Sequence, residues 1–539
     1  MNERQLPTVA YFSMEYGLHS DFKMYAGGLG ILAGDFIKGA KDIGAPLVGI
    51  GIKWKQGYTD QRIGDDGRPY DTFASNEYDF LEDTGATVTV TIKNAEVACK
   101  VWKTEKFGNN PLYLLDADLP GTGNAWITER LYGGGFGEER IAQEIVLGIG
   151  GAKALRALQI PVEVYHFNEG HAALAATELI REKMQAGLTF ESAWRETREE
   201  VVFTTHTPVR EGNEAHPLEL LERMSAYNGL SRDQMERIGG NPFNMTVAGL
   251  RLSRLSNAVA ALHAETARGM WKDVAGRSEI IGITNAIHLP TWADPRIIRA
   301  YEENGDLWSA HMEIKRELIG FIRERSGIAL NPDRLLIGFS RRAAPYKRSD
   351  LIFSKSEVIA PYLESGQIQI VFSGKAHPND ETGKQIVSNL VGMMKKYPKS
   401  VVFLENYDMT IGAMLTRGAD VWLNNPRRPL EASGTSGMKA AVNGVLNCSI
   451  LDGWWPEACL DGDNGWQIGD GFESDDPGVL DRHDSEALYD TLLGRVVPTY
   501  YEDQPKWVRM MRRSIETTRE AFSTKRMLEE YYRKLYIRK

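Results

Sequence analysis

Short apolar runs alternate with amphipathic segments along most of the chain. Residues 162–167 (VEVYHF) and 200–205 (EVVFTT) have the β-branched and aromatic content of strands. Between them, the segment NEGHAALAATELIREK repeats its apolar residues at helical spacing. Runs of the same kind lie in the second half of the chain, at residues 334–339, 367–372, 400–404 and 419–423. This alternation predicts parallel strands that helices cover on both faces, so we expect an α/β fold of two doubly wound, Rossmann-like domains.

One insertion and one junction interrupt the alternation. Residues 86–103 alternate in two runs around Lys93-Asn94, which predicts an antiparallel β-hairpin inserted in the first domain. The segment at residues 281–292 ends the first β/α series, and its Pro290 favours a break in regular structure. We therefore expect an N-terminal domain over residues 1–285, a C-terminal domain over 286–505, and terminal helices over 506–539 that can pack back on the N-terminal domain. The two domains are expected to face a cleft, because open α/β sheets bind ligands at the carboxyl ends of their strands.

Composition and charge narrow the functional classes. The 539 residues include 63 Lys and Arg against 73 Asp and Glu, a net charge of −10, so no overall attraction to nucleic acid or anionic lipid is expected. Three cysteines without a CxxC pair argue for a reducing compartment. The N-terminus lacks the apolar stretch of a signal peptide, and no apolar run reaches the length of about 18 residues that spans a membrane. We expect a cytoplasmic protein whose anionic ligands are bound by local sites.

The first candidate site is a glycine loop, YAGGLG at residues 25–30, which leads into a helical pattern. Glycines before a helix allow a close approach of the backbone, and the N–H groups there favour an anion. Gly28-Leu29-Gly30 also fits a dinucleotide motif, but no strand directly precedes it. A phosphate-like anion or a sugar hydroxyl is therefore the predicted ligand, and a tight turn without a ligand is the alternative.

The second candidate site is a basic cluster at residues 340–348 (SRRAAPYKR), directly after a predicted strand. Its four cations are Arg341, Arg342, Lys347 and Arg348. Gathering four cations at a strand end is costly unless anions neutralise them, and both guanidinium and ammonium groups bind phosphate. The cluster favours an anion site, and a salt-bridged surface loop is the alternative.

The third candidate site is the segment EASGTSGMK at residues 431–439. Small and hydroxyl-bearing residues precede a predicted helix, an arrangement that can bind an anion. Lys439 lies in an apolar and small stretch, where desolvation would lower the pKa of its amine and make it a nucleophile for an aldehyde. A helix lysine that reaches solvent is the common alternative.

Two histidines lie at the ends of predicted strands. His171 follows the run VEVYHF and His206 follows EVVFTT. Hydrogen bonding to a polyhydroxy ligand fits this placement, and a structural histidine is the alternative at each position. The ten histidines of the chain show no metal-ligand spacing, so we expect no metal site.

Taken together, these motifs resemble those of the α-glucan (glycogen, starch and maltodextrin) phosphorylases. The shared segments are YAGGLG, NEGHAA, TTHTP, TNAIHLPTW, RRxxxYKR, LENY and EASGTSGMKAAVNG, in the same order over nearly the whole chain. The ending LNCSILDGWWPE is similar to the short prokaryotic branch. The resemblance implies a GT-B fold whose C-terminal domain binds pyridoxal 5′-phosphate.

The resemblance also implies a set of residues for the cofactor. Lys439 matches the lysine that binds the cofactor's aldehyde. Arg341, Gly434 and Thr435 match positions that hold the cofactor's phosphate, and Tyr407 in LENY is similar to a tyrosine close to that phosphate.

A second implied set contacts the substrates. Arg342 and Lys347 match the pair that binds the substrate phosphate, and Gly28, with Leu29 beside it, matches the backbone donor to the same phosphate. The positions that match sugar contacts or line the site near the sugar are Glu431, Ser433, Asn285, His206 and His171. Among all these positions, the resemblance assigns catalysis to Arg342, Lys347, Glu431 and His206.

The chain departs from the larger family members in two motifs. Ala343-Ala344-Pro345 replaces a His-Glu pair, and Asp408 replaces an arginine, which puts details of substrate contact in doubt. The segments that regulate the larger members are not recognised, so we expect constitutive activity, with the oligomeric state left open and a homodimer as one option. The glycine-rich stretch at 132–139 is equally consistent with a mobile gate and with a rigid turn.

The resemblance implies phosphorolysis of α-1,4-glucan, which releases glucose 1-phosphate from the non-reducing end with retention. The expected partners are therefore an α-1,4-glucan and inorganic phosphate. A sugar-nucleotide-dependent glucan synthase is the main alternative, and a glucan-binding protein without activity is a third. The lysine of EASGTSGMK favours the first hypothesis, because a nucleotide-sugar enzyme needs no such amine.

Overall fold

Two mainly parallel sheets organise the chain, one in each of two units. The computed structural model describes residues 6–134, 137–209 and 212–538. The first unit comprises Met1–Tyr58, Phe73–Thr284 and Thr524–Lys539, and the second comprises Thr59–Thr72 and Asn285–Ser523. Both units combine parallel strands with helices, which confirms the predicted α/β class.

The elements are numbered in chain order. The strands are β1 Val9–Phe12, β2 Leu47–Ile52, β3 Asp60–Ile63, β4 Pro69–Thr72, β5 Glu82–Ile92, β6 Ala95–Thr104, β7 Leu112–Asp116, β8 Val164–Asn168, β9 Val201–Thr204, β10 Ala215–His216, β11 Phe243–Asn244, β12 Leu255–Ala258, β13 Glu279–Gly282, β14 Leu335–Ser340, β15 Ile368–Ser373, β16 Val401–Leu404, β17 Val421–Asn424, β18 Leu446–Ile450 and β19 Gly465–Ile468.

Helices connect most of these strands. The α-helices are α1 Gly28–Asp42, α2 Ala125–Thr128, α3 Glu138–Glu144, α4 Gly151–Ala157, α5 Ala175–Gln185, α6 Phe190–Glu200, α7 Leu218–Arg223, α8 Arg232–Gly239, α9 Met245–Leu252, α10 Ala261–Met270, α11 Leu289–Trp292, α12 Pro295–Glu302, α13 Leu307–Ser326, α14 Ser356–Glu364, α15 Glu381–Lys396, α16 Met409–Gly418, α17 Thr435–Ala441, α18 Trp455–Ala458, α19 Pro477–Thr491, α20 Val497–Glu502, α21 Gln504–Thr518 and α22 Thr524–Tyr531. Three π-helical segments continue neighbouring helices, at Ile145–Gly150, Leu492–Val496 and Tyr532–Tyr536.

The sheet of the first unit has the order β13-β12-β9-β8-β1-β2-β7-β6-β5. The pairs from β13 to β7 are parallel, and β7, β6 and β5 pair antiparallel. Lys93 and Asn94 join β5 to β6 with φ of 52° and 60°, the backbone that a tight two-residue hairpin turn requires. The strand order reverses between β1 and β8, the place where doubly wound sheets bind ligands.

The sheet of the second unit is parallel throughout, in the order β16-β15-β14-β17-β18-β19. In order of their position in the chain, its strands run 3-2-1-4-5-6, which is the doubly wound arrangement of dinucleotide-binding folds. Strands β14, β15, β16 and β17 are buried at every residue, because helices cover both faces. The order reverses between β14 and β17, so ligands are expected where these two strands end.

Two segments belong to a different unit from the one their sequence position indicates. The hairpin β3–β4 joins the second unit, where Gln61 donates to the carbonyl of Ala376 at 3.1 Å and Asp71 pairs with Lys384 at 2.8 Å. Helix α22 joins the first unit, where Thr524 lies against Gly39. Long-range contacts, rather than chain order, therefore assign these two segments to their units.

Two further expectations concern a membrane-spanning helix and the glycine-rich stretch at 132–139. No helix in the described ranges is long and apolar enough to cross a membrane. Gly135 and Phe136 lie outside the described residues, so the gate at 132–139 stays a prediction.

Candidate functional site

The end of β14 presents the basic cluster at the switch point of the second sheet. Lys347 donates to both carboxylate oxygens of Glu431, at 2.8 and 2.6 Å, and the Arg341 guanidinium binds the same carboxylate. All three side chains are buried. Arg342, between them in sequence, is exposed. The structure therefore brings Arg341, Lys347 and Glu431 together and leaves Arg342 at the surface.

Arg348, the fourth cation of the cluster, has a different role from the one predicted. Its guanidinium donates to the carbonyls of Asn425 and Pro426 at 2.9 and 2.7 Å and pairs with Asp481 and Asp484 at 3.0 and 2.7 Å. A guanidinium with four internal partners has little left to offer a ligand. Arg348 therefore forms buried internal ion pairs and does not offer its guanidinium to an external anion.

The loop before α17 is fixed by the turn that follows β18. The backbone N–H of Glu431 donates to Asp452 at 2.9 Å, and the N–H of Trp454 donates to the carbonyl of Ser433 at 2.8 Å. Gly434 precedes α17 with φ of 86°, in the left-handed region where glycine is favoured. The chain reversal at Gly434 therefore sets the positions of Glu431 and Ser433 relative to the helix.

Lys439 is a buried side chain of α17. Its ammonium lies over the indole ring of Trp292, 3.5 Å from the ring centroid, a distance at which the ring quadrupole attracts a cation. The sequence alternative of a lysine that reaches solvent does not describe this side chain, because Lys439 is 5 % exposed. A buried amine next to a flat aromatic face can receive a planar aldehyde.

The electrostatics of this site leave an excess of positive charge. Burial alone would raise the pKa of Glu431, but Arg341 and Lys347 outweigh burial and hold that pKa below its usual value. Burial and the Glu431 charge raise the pKa of Asp452 to about 7. Glu431 is thus ionised at neutral pH and faces two cations, so the group carries a net charge near +1.

Two buried polar atoms of this site have no partner among the described residues. They are Nη1 of Arg341 and Oγ of Ser433. A buried donor without an acceptor costs free energy, and an anion or a polyol would supply what is missing. The arrangement can therefore bind an anionic ligand.

Tyr407 and Asn285 are two further predicted residues of the second unit. The hydroxyl of Tyr407 lies so close to Gly412 that an added Cβ would be 2.5 Å away, and burial raises the pKa of Tyr407 to about 12. The hydroxyl is therefore a neutral donor at physiological pH. Asn285 is buried shortly after β13.

In the first unit, a carboxylate of the chain itself occupies part of the glycine loop. The N–H groups of Ala26 and Gly27 donate to Glu15 Oε2 at 2.6 and 3.0 Å, and Tyr132 donates to Oε1 at 2.9 Å. A Cβ at Gly30 would lie 2.5 Å from Glu15 Oε2, so glycine is required there. The contacts predicted for an external anion therefore narrow from the whole loop to Gly28 and Leu29.

His206 and His171 follow neighbouring parallel strands. His206 Nε2 lies 2.5 Å from Asn168 Oδ1, and the backbone N–H of His206 donates to Glu169 at 2.8 Å. His171 Nε2 lies 3.8 Å from Glu214, and no partner reaches its Nδ1 within the described chain. Burial lowers the pKa of both histidines to about 3. Both imidazoles are thus neutral at physiological pH and suited to hydrogen bonding.

Three site residues escaped the sequence analysis. Asp452 begins a D-G pair directly after β18, Trp292 ends the motif TNAIHLPTW, and Glu15 follows β1. Position at the carboxyl end of a strand was the available signal for Asp452 and Glu15. Trp292 gave no such signal, because its contact with Lys439 joins positions far apart in sequence.

Comparisons with known proteins add to this geometry. The model of the carbohydrate phosphorylase family matches residues 298–457. The chain is 38 % identical to a maltodextrin phosphorylase of Thermococcus litoralis, over 98 % of this chain and 70 % of that protein. It is 35 % identical to a glycogen phosphorylase of Aquifex aeolicus, over 98 % and 86 %, and 36 % identical to a glycogen phosphorylase of Mycobacterium tuberculosis, over 98 % and 71 %.

The lowered pKa values of His171 and His206 predict a distinctive pH response. Because the folded-state pKa is about 3 for His171 and His206, against about 6.5 in an unfolded chain, their ring signals should not move between about pH 8 and pH 5. Nuclear magnetic resonance of histidine-labelled protein measures this, with His171→Gln and His206→Gln for assignment. The same protein in urea is the control, and its signals should titrate. A ring that titrates above pH 5 in the folded protein would contradict the assignment of burial.

Proposed function

The chain belongs to the carbohydrate phosphorylase family, and on that premise we propose that it catalyses the phosphorolysis of α-1,4-glucan. A glucosyl unit is transferred from the non-reducing end of the glucan to inorganic phosphate, with retention, and glucose 1-phosphate is released. The observation that carries the proposal is the buried group of Arg341, Lys347 and Glu431 at the switch point of the second sheet. Its net positive charge and the unpartnered Arg341 Nη1 support an anion at this place.

Inorganic phosphate is the anion proposed for Lys347 and Arg342 of the second unit. The compact ammonium of Lys347 is held in place by its hydrogen bond to the Glu431 carboxylate. A phosphate that approaches Lys347 therefore meets a preorganised positive charge rather than a mobile, solvated one. Arg342 is exposed on the same turn, and its planar guanidinium suits two phosphate oxygens. These roles rest on the family motif and on the charge of the turn.

The second unit fits pyridoxal 5′-phosphate as the cofactor. Lys439 supplies the amine for the aldehyde and Trp292 a flat apolar face, while Arg341, Gly434 and Thr435 would hold the phosphate. The unpartnered Nη1 of Arg341 fits the cofactor's phosphate as its acceptor, and Tyr407 supplies a neutral hydroxyl. When bound, the cofactor supplies a phosphate group whose second pKa, about 6, allows proton exchange near neutral pH.

The sugar-binding roles follow from protonation states. Glu431 stays ionised because of its two cations, so it can only accept hydrogen bonds, as from a glucosyl hydroxyl. Asp452 fixes the backbone of Glu431 and thereby orients that acceptor. Ser433 has a buried Oγ without a partner among the described residues, which a second hydroxyl would satisfy. His206 is neutral and is held in place by Asn168. We assign it as the fourth catalytic residue, with Arg342, Lys347 and Glu431.

Several finer features are part of the same proposal. We assign the chain to the GT-B fold class, with His171 and Asn285 as further sugar contacts, the glucan and phosphate side in the first domain and the cofactor in the second. The relatives reported above bear phosphorylase names, and none of them favours the sugar-nucleotide alternative. Three free cysteines support a reducing, cytoplasmic setting.

An assay of glucose 1-phosphate tests the reaction directly. The purified chain, loaded with pyridoxal 5′-phosphate, is incubated with inorganic phosphate and either maltoheptaose or glycogen. Release of glucose 1-phosphate that depends on phosphate is the expected result, and comparison of the two glucans identifies the preferred chain length. Release of free sugar without phosphate, or transfer that requires a nucleotide sugar, would contradict the proposal.

Lys439→Ala should abolish both cofactor retention and activity, because it removes the only group proposed to bind the aldehyde. Cofactor content after gel filtration, read from absorbance above the protein band, and glucose 1-phosphate release are the two measurements. Lys399→Ala is the matched control, since Lys399 is an exposed lysine, and it should retain both properties. Full activity of Lys439→Ala would overturn the cofactor assignment.

Lys347→Met should lower kcat/KM for inorganic phosphate by about 10²–10³-fold, the effect of removing one preorganised donor. Glu431 keeps Arg341 as a partner in this variant, so a folded protein is expected, with its melting temperature as the check. Steady-state kinetics with phosphate varied at saturating maltoheptaose give the value, with Lys399→Met as the control. An unchanged kcat/KM would remove Lys347 from the phosphate site.

A further inference from the structure

A second polar cluster lies in the interior of the first unit, formed by Glu144, Glu214 and His216. Glu144 is the last residue of α3, and Glu214 and His216 flank the start of β10. One ligand atom from each residue lies within 4.8 Å of the other two, and all three residues are buried. His216 Nε2 is 3.2 Å from Glu144 Oε2 and 3.7 Å from Glu214 Oε1. No role in the proposed reaction uses Glu144 or His216.

Two carboxylate oxygens of this cluster lack a donor. Within the described ranges, no hydrogen bond reaches Glu144 Oε1 or Glu214 Oε1, although both atoms are fully buried. Glu214 Oε1 is also the atom that faces His216, so the unpartnered oxygen points into the cluster. Two such carboxylates can be satisfied only by a proton that they share or by a cation that binds both.

The surrounding charges favour a cation. The Arg140 guanidinium lies 3.4 Å from Glu214, and one guanidinium cannot neutralise two carboxylates. Glu169 is a third carboxylate, near enough to interact with the charge of Glu214. Among the described residues, two buried carboxylates that share one guanidinium need either a proton or a bound cation.

We propose that Glu144, Glu214 and His216 bind a divalent transition-metal ion of the zinc or manganese class. Donor atoms bound at about 2.1 Å to one ion lie about 3.0–3.4 Å from each other, which the observed separations of 3.2 and 3.7 Å approach. An imidazole nitrogen with two carboxylate oxygens suits zinc, manganese or iron(II), whereas calcium and magnesium prefer oxygen alone. Water would complete the coordination.

Such an ion would connect two parts of the first unit that are distant in sequence. It would join the end of α3, where the π-helical segment Ile145–Gly150 begins, to the short strand β10. Because His171 Nε2 lies 3.8 Å from Glu214, the ion would also fix the carboxylate next to a proposed sugar contact. The site is independent of the proposed reaction, since its residues bind the ion whether or not glucan is present.

The test measures metal content rather than activity. The full-length chain is dialysed against EDTA, exchanged into metal-free buffer, incubated separately with ZnCl2 or MnCl2, and separated from free metal by gel filtration. We expect about one equivalent of zinc or manganese per chain by mass spectrometry, and a higher melting temperature with metal than in EDTA. Glu144→Gln should retain almost none, because it removes a charged ligand while it preserves shape.

Glu139→Gln is the matched control, because Glu139 lies on the same helix and is not one of the three ligands. It should retain the same equivalent as the unmodified chain. The proposal is overturned if neither ion stays with the unmodified chain, or if Glu144→Gln retains as much metal as Glu139→Gln. A shared proton would then be the explanation, and Glu144→Gln would melt at a higher temperature than the unmodified chain in EDTA.

Discussion

The site of the second unit depends on the double ion pair of Glu431. A single buried carboxylate would be driven towards its neutral form by desolvation, and a single buried cation would be equally unfavourable. Arg341 and Lys347 together reverse this for Glu431, and Asp452 fixes its backbone. The result is a buried acceptor that stays charged, next to two donors whose charge it does not fully cancel. An anion that binds there neutralises the remaining positive charge of Arg341 and Lys347.

The parallel sheet is what makes this arrangement possible. Strands β14 and β17 are neighbours with the same direction, so the segments that follow them, one with Arg341 and Lys347 and the other with Glu431, start from the same edge. The turn after β18 adds Asp452 from the next strand along the sheet. Three chain segments far apart in sequence thereby supply one charged group, and the continuous burial of the strands keeps their ends in register.

Much of this fold could be predicted from the sequence, because buried parallel strands leave an unmistakable pattern. The runs predicted at 334–339 and 400–404 correspond to β14 at Leu335–Ser340 and β16 at Val401–Leu404, since strands covered on both faces are apolar at successive positions. The hairpin β3–β4 was not separated from the first domain, because its polar contacts with the second unit, such as that of Gln61 with Ala376, leave no periodic signal.

The site was predictable to the extent that its residues are neighbours in sequence. The segments that carry Arg341 with Lys347, and Glu431 with Lys439, were both visible, because each concentrates its chemistry in nine residues. The direction of each side chain was not visible: Arg348 turns to Asp481 and Asp484 although its position in the motif is equivalent to that of its neighbours. Partner choice depends on burial and on distant acidic residues, and neither is encoded in local spacing.

The same reasoning distinguishes the two ligands that we propose, one for each unit. In the second unit, two cations share one carboxylate, and the surplus is positive. In the first unit, Glu144 and Glu214 share the single guanidinium of Arg140 within the described cluster, so the ionised pair would carry a negative surplus. A buried surplus of either sign must be compensated, by a ligand or by a proton. Where no internal partner completes the balance, the sign of the surplus indicates the class of ligand that we propose: an anion for the Arg341 group and a metal cation for the Glu144 cluster.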